Sequence, residues 1–171
     1  MKNFRKPTWA TVFGSAVLVV LLAIVGLTNR VQADNDRSQN DPANLHRRDY
    51  NMSPQVFPNG THGFTMFSGV FNASDLPFLN SVDITNGSYT VNNSFNQYLS
   101  QYHSGKVPVY DSINNTMHTI FFGGMSQYTM DTEGVLTQDD EVPFVKTISV
   151  VTRNSDGSMD EKMLDHQFLE W

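Results

Sequence analysis

The sequence predicts an all-β extracytoplasmic domain, with short antiparallel strands in a sandwich-like or partial-propeller arrangement, behind one N-terminal transmembrane helix. Three observations predict it. Residues 8–27, TWATVFGSAVLVVLLAIVGL, run twenty positions without a charge; at about 1.5 Å rise per residue they match the ~30 Å hydrocarbon layer of a bilayer. Beyond residue 48, short apolar and aromatic runs alternate with Asn, Gly, Ser, Asp and Pro, and Asn, Ser and Thr supply 45 of the 171 residues, a strand-and-turn texture. No window after residue 34 keeps a helical period over three turns.

The N-terminal elements follow from charge. Lys2, Arg5 and Lys6 precede the apolar run, while Asp34, Asp36 and Asp41 come after Arg30, which places the N-terminus in the cytoplasm. The expected division is a cytoplasmic tail (1–7), a transmembrane helix (8–28), a linker (29–48) and an extracytoplasmic β-domain (49–171). Val31-Gln32-Ala33 also fits a signal-peptidase site, which would leave a chain starting at Asp34. The apolar run exceeds the ~7–15 residues of a usual signal core, which favours the uncleaved anchor. Ala10 with Gly14, and Ala16 with Ala23, give small faces where another helix can approach closely, although small residues are common in membrane helices generally.

Four of the eleven basic residues and none of the seventeen acids lie before residue 34, so the remainder carries −10. That balance argues against nucleic acid as a partner. With no cysteine, the chain has no disulfide framework, thiol nucleophile or cysteine-ligated metal.

Residues 33–48 are rich in Asp, Asn, Ser and Gln, which reads as an exposed linker. The clearest hairpin pairs residues 81–85 with 88–91 through Asn86-Gly87, whose positive φ values suit a type I′ turn, with Val82 and Ile84 meeting Tyr89 and Val91. A second pairs 145–153 with 158–164 through Asn154-Ser-Asp-Gly157. A third pairs 107–111 with 117–122; Gly123-Gly124 ends that strand, and another starts over 125–130. Residues 63–71 alternate as a strand pair or a bent strand, and residues 94–102 would place Phe95, Tyr98 and Leu99 on one face of a short helix. This gives about seven to nine strands.

Chemistry is harder to find. His46, His62, His103, His118 and His166 lack metal-ligand spacing. His118, in a strand beside aromatics, is the best candidate among them and fits a hydrogen-bonded structural histidine better. Asp139-Asp140-Glu141 offers oxygens for Ca²⁺. Residues 156–161 resemble a calcium loop superficially but lack its sixth-position glycine and twelfth-position acid, so turn chemistry explains them better. There is no Gly-x-Ser-x-Gly, no phosphate-binding glycine loop and nothing that selects a carboxylate pair. Neither catalytic residue, metal nor cofactor is expected. Asn-x-Ser/Thr triplets at Asn51, Asn59, Asn72, Asn86, Asn92 and Asn114 arise readily in so Asn-rich a chain. Aromatics are dense, and Phe64, Phe67, Tyr98, Tyr102 and Tyr128 are candidates to stack on a ligand or dock a partner.

Residues 45–51 (LHRRDYN), 57–60 (FPNG), 67–71 (FSGVF), 75–78 (DLPF), 95–98 (FNQY), 117–124 (MHTIFFGG) and 142–149 (VPFVKTIS) together resemble secreted kelch-like β-propeller proteins of Bacteroidetes-type bacteria. The local mark is a strand ending in a double glycine, Gly123-Gly124, followed by the aromatic Tyr128. The resemblance implies four-stranded blades. Residues 49–171 suffice for two or three blades of roughly 40–50 residues, whereas closure takes at least about four. The expected protein is therefore a non-catalytic, single-span accessory subunit of a larger bacterial inner-membrane complex of respiratory or photosynthetic type. It would meet the lipid bilayer through residues 8–28 and other membrane-protein subunits through its periplasmic domain. A secreted or surface-tethered module recognising glycan or another surface ligand is the alternative, and a calcium-dependent hydrolase is the least supported reading.

Overall fold

The computed structural model describes residues 40–167, so the expected tail, transmembrane helix and most of the linker lie outside the described residues. Among those described, no helix is long and apolar enough to cross a membrane. The chain enters through one helical turn, α1 (Pro42–Leu45), with proline at its start. The Asp41 side chain caps the turn by accepting from Asn44 N at 3.2 Å. Its other oxygen accepts from Tyr89 Oη at 3.0 Å, which ties the turn to the sheet below.

Two four-stranded antiparallel sheets follow. Sheet A runs β1 (Asn51–Val56), β2 (His62–Phe67), β3 (Ser81–Thr85) and β4 (Ser88–Asn92) in chain order. Sheet B runs β5 (Gly105–Asp111), β6 (Thr116–Met125), β9 (Phe144–Arg153) and β10 (Met159–Gln167). Between β6 and β9 the chain leaves the sheet to make a separate hairpin, β7 (Tyr128–Met130) with β8 (Leu136–Gln138). Its tip is held by Asp131 Oδ1, which accepts from Glu133 N at 2.9 Å and Val135 N at 2.8 Å.

The Asn-Gly hairpin forms in the expected register, with Val82 opposite Val91 and Ile84 opposite Tyr89, and Asn86 and Gly87 at φ +49° and +77°. Several expectations need correction. β6 does not stop at the double glycine but continues to Met125, absorbing the glycines in a register shift between Phe122 and Gly124. Of the two readings of residues 63–71, the single strand is the one that forms, and it ends at Phe67. Residues 94–102 form no helix, because their amides bond elsewhere: Gln97 N donates to Leu79 O at 2.8 Å, and Tyr98 N and Leu99 N donate to Glu161. Ten strands are described, β1 among them, whose central Pro54 had hidden it.

Residues 42–48 belong with the β-domain rather than the linker. Arg47 is buried, donating to Ser68 O (3.1 Å), Asn80 O (2.8 Å) and Asn80 Oδ1 (2.7 Å), with its guanidinium 4.0 Å above the Phe78 ring. Desolvation lowers its pKa to about 10, opposed by the charge of Asp41.

The sheets stack in matching strand order. Gln55 Nε2 of β1 donates to Thr119 Oγ1 of β6 at 3.0 Å. Arg153 Nη2 of β9 reaches Thr65 Oγ1 of β2 at 3.2 Å and Asp83 Oδ1 of β3 at 2.6 Å, and Asn92 Nδ2 of β4 meets Met159 Sδ of β10 at 3.2 Å. Backbones of the two sheets come closest together along β1 and β5. Phe67 and Phe121 meet edge to face at 5.3 Å, and with Phe95 and Val151 they form the main core. Val70, Tyr102 and Val142 form a second cluster under the loops.

The two sheets also repeat one local design. Arg48 and Val70 exchange backbone hydrogen bonds in an isolated bridge, as do Tyr102 and Met125. The next residue in each case, Asp49 or His103, takes positive φ, and the first strand begins three residues after the bridge, at Asn51 or Gly105. Pro54 and Pro108 each stand fourth in that strand. Past the second strand's aromatic, Phe67 or Phe122, comes a positive-φ pair, Ser68-Gly69 or Gly123-Gly124. The second residue of each pair must be glycine for the same reason: a Cβ would lie 2.9 Å from Arg48 O at Gly69 and 2.6 Å from Tyr102 O at Gly124.

Candidate functional site

Strand alternation and register assign each side chain to a face. On sheet A, Asn51, Ser53 and Gln55 share a face with Thr65, Phe67, Ser81 and Asp83, and this face meets sheet B. The interface between the sheets therefore mixes the Phe67–Phe121–Val151 core with a polar set held by the contacts above, of which, among the described residues, Ser81 Oγ and Arg153 Nε are left without a partner. The opposite face of sheet A carries Pro54, Val56, Phe64, Met66, Val82, Ile84, Tyr89 and Val91, of which Met66 and Val82 are buried. Phe64 is 48% exposed there, where an alternating strand would ordinarily present polar groups to water. The outer face of sheet B has Val107, Val109, Ile120 and Val150 in register, with Val107 and Val109 each 45% exposed. Apolar side chains thus stand exposed on both outer faces, Phe64 on sheet A and Val107 and Val109 on sheet B, the latter sharing their face with Asp160 and Lys162.

A groove of about 420 Å³ opens where the two sheets converge, lined among others by Pro54, Val56, Phe64, Pro108, Tyr110 and Met117. Phe64 thus sits on both the open face and the groove.

The other sequence-derived aromatics divide. Tyr98 and Tyr128 pack edge to face at 5.0 Å, both half-buried, and Tyr128 Oη donates to Gln138 Oε1 at 3.2 Å. Phe67 and Tyr102 are 1% and 8% exposed; they are core residues, Phe67 in the main cluster and Tyr102 in the second. Ala10, Gly14, Ala16 and Ala23 lie outside the described residues.

His118 is held at both ring nitrogens, Nδ1 2.9 Å from Thr152 Oγ1 and Nε2 3.2 Å from Thr116 Oγ1, as a structural histidine is. Asp140 Oδ1 accepts from the Gln138 and Gln127 amides, each at 2.7 Å, which holds its carboxyl below the usual range. Asp156 Oδ1 closes its turn by accepting from Ser158 Oγ (2.6 Å) and N (2.9 Å). Among the described residues, no three of His, Asp and Glu gather in a metal-binding cluster.

One polar centre escaped the sequence reading. Glu161 Oε2 accepts from Tyr98 N at 2.6 Å and Leu99 N at 3.0 Å, and Ser149 Oγ lies 3.3 Å from Oε1. Burial pushes the carboxyl up to about 8, against the downward pull of the Leu99 and Tyr98 amides and the Ser149 hydroxyl. Its parity was a usable signal: Met159, Glu161 and Met163 alternate onto one face of β10. The carboxylate fastens the 94–102 segment to sheet B and sits at the wall of an open cleft of about 540 Å³ that it shares with Asp131, Lys162 and His166. Two backbone amides and the Ser149 hydroxyl are the partners described for it, so this centre reads as a fastening.

No protein-family model, curated protein or solved structure matches this chain.

Proposed function

We propose that this chain is a non-catalytic, single-span accessory subunit of a bacterial inner-membrane complex. Residues 8–28 hold it in the bilayer, and its β-domain docks partners outside the cytoplasm. The observation that carries the reading is the exposed apolar part of the outward face of sheet A, where the half-exposed Phe64 stands beside the exposed Pro54. Such a face costs solubility unless covered. The anchor rests on the charge-free run 8–27 and the cations before it.

The groove beside Phe64 and Tyr110 favours a second reading, a binding module for glycan or another surface ligand, since two aromatics flank an apolar trough there. Extraction of native membranes in mild detergent, size separation and mass spectrometry decide between them. The subunit reading expects a peptide spanning residues 8–33 within one discrete assembly. Free chains beginning at Asp34 would overturn it and leave the binding module.

A further inference from the structure

We infer that the cleft between the β1–β2 and β3–β4 turns is a binding site for a neutral sugar ring. This rests on the binding-module reading above and gives its ligand a polar seat, which shares no lining residue with the apolar groove beside Phe64. The cleft has a volume of about 490 Å³, within the ~300–1,000 Å³ of small-molecule sites.

Strand register builds its floor. Asp83 pairs with Thr90, and Thr85 with Ser88, so these side chains share the face of sheet A that meets sheet B. Thr65 on that face is buried, whereas Ser88 and Thr90 are exposed, so the polar face runs on past the cover of sheet B. Both walls are held without a ligand. Phe57 N donates to Thr61 O and Gly60 N to Phe57 O, each at 2.8 Å, and Asn115 Nδ2 donates to Pro58 O at 2.9 Å. Opposite, Ser88 Oγ donates to Thr85 O at 3.0 Å. Gly63 lets the walls meet at their base, since a Cβ there would lie 2.9 Å from both the Phe57 ring and Thr85 Cγ2. Walls fixed in this way spare a ligand the cost of ordering them.

Charge selects the ligand class. Among the described residues, Asp83 is the one ionisable side chain lining the cleft, and Arg153 Nη2, 2.6 Å from its Oδ1, already matches its charge. An amine finds no unpaired anion there, and a phosphate meets a carboxylate with no cation on the cleft wall. Hydrogen-bonding capacity is what remains. Asp83 Oδ1 also accepts from Thr65 Oγ1, but among the described residues nothing bonds Asp83 Oδ2 or the hydroxyls of Thr61, Thr85 and Thr90. Asn59 spends Oδ1 on Thr61 N at 3.0 Å and keeps its NH₂ group, and Asn86 presents its amide from the exposed turn. Closely spaced donors and acceptors beside the apolar Phe57 and Pro58 match a pyranose, which has hydroxyls along its edge and C–H groups on its face.

The test uses the full chain in a detergent without a sugar headgroup. It is titrated with the methyl glycosides of glucose, galactose, mannose and N-acetylglucosamine, and amide shifts are followed by NMR. At least one glycoside is expected to shift residues 59–61 and 85–90 with a millimolar midpoint, while inorganic phosphate and ethylamine shift neither segment. Thr90→Val with Asn86→Gly removes two ligating groups but keeps strand propensity and the positive-φ position. It is expected to weaken the glycoside about tenfold, as the loss of one or two hydrogen bonds does, with the melting temperature held. Should the double variant lose stability, Thr90→Val alone repeats the test.

No shift from any glycoside at tens of millimolar overturns the inference, as does phosphate binding in preference to all of them. If a glycoside instead shifts Phe64, Tyr110 and Met117, and Phe64→Ser rather than Thr90→Val weakens it, the sugar belongs in the groove; the cleft is then wrong and the binding-module reading stands. That reading falls separately, if native extraction finds residues 8–33 retained within one discrete assembly.

Discussion

His103 Nε2 lies 3.5 Å from Asp49 Oδ1, and the two residues occupy the same place in successive repeats, at φ +54° and +56°. Both are well exposed, so the pair itself is worth under ~1 kcal/mol. The backbone sets the requirement at these positions. Asp49→Asn is expected to leave the melting temperature nearly unchanged, because Asn tolerates the left-handed region well. His103→Val is expected to lose about 1–2 kcal/mol in urea titration, because a β-branched side chain resists that conformation.

Gly124→Ala is expected to damage sheet B more than Gly134→Ala damages the hairpin. Both have positive φ, but a Cβ at Gly124 strikes the Ser104 hydroxyl and Tyr102 O, whereas at Gly134 it meets nothing within 4 Å. Paired denaturant titrations read the difference. Equal losses would mean that φ alone, and not the close approach, sets the cost.

Phe121→Ala and Phe67→Ala each remove half of the edge-to-face pair at the centre of the core. Each is expected to cost about 3–5 kcal/mol. The double variant is expected to cost less than the sum, since the rings share one cavity; a thermodynamic cycle measures the coupling.

Asp83→Asn leaves the buried Arg153 guanidinium without its counter-charge. A loss of about 3–5 kcal/mol is expected, larger than that from Asp160→Asn, whose contact with Lys162 is long, at 4.0 Å, and exposed. Comparing the two melting temperatures at low and high salt separates them: only the Asp160 effect is expected to vanish with salt.

Glu161 gives a pH signature. Its folded pKa is raised from 4.5 to about 8, so between those values the folded chain binds more protons than the unfolded one. Stability is fully present below 4.5 and falls as pH rises through about 8. Glu161→Gln, which still accepts from the two amides and donates to Ser149, is expected to flatten that slope in melting temperatures taken from pH 5 to pH 9. An unchanged slope would locate the titration elsewhere.

The strands with two-residue alternation and glycine turns were legible in the sequence because local chemistry dictates them: Asn86-Gly87 needs no tertiary context to turn. β1 was not, because Pro54 is tolerated only at an edge, and edge position is a property of the assembled sheet. The 94–102 segment misled for a similar reason. Phe95, Tyr98 and Leu99 have helical spacing, but the amides are claimed by Leu79 O and a glutamate more than sixty residues away. Among the aromatics, Phe64 and Phe67 differ by an odd number of positions in one strand, so they had to take opposite faces. Which face met the second sheet depended on residues of β6 and β9, beyond the reach of local pattern.

The β7–β8 hairpin shares no ladder with either sheet, and its tip at Glu133-Gly134 is exposed. Foreign sequence grafted there would lengthen a loop that neither stack uses for its register, and lengthening such a loop costs only about 0.6 kcal/mol per doubling. That makes it the natural seat for a fluorophore or affinity tag: a reporter that rides on the domain while leaving the outer faces of both sheets clear.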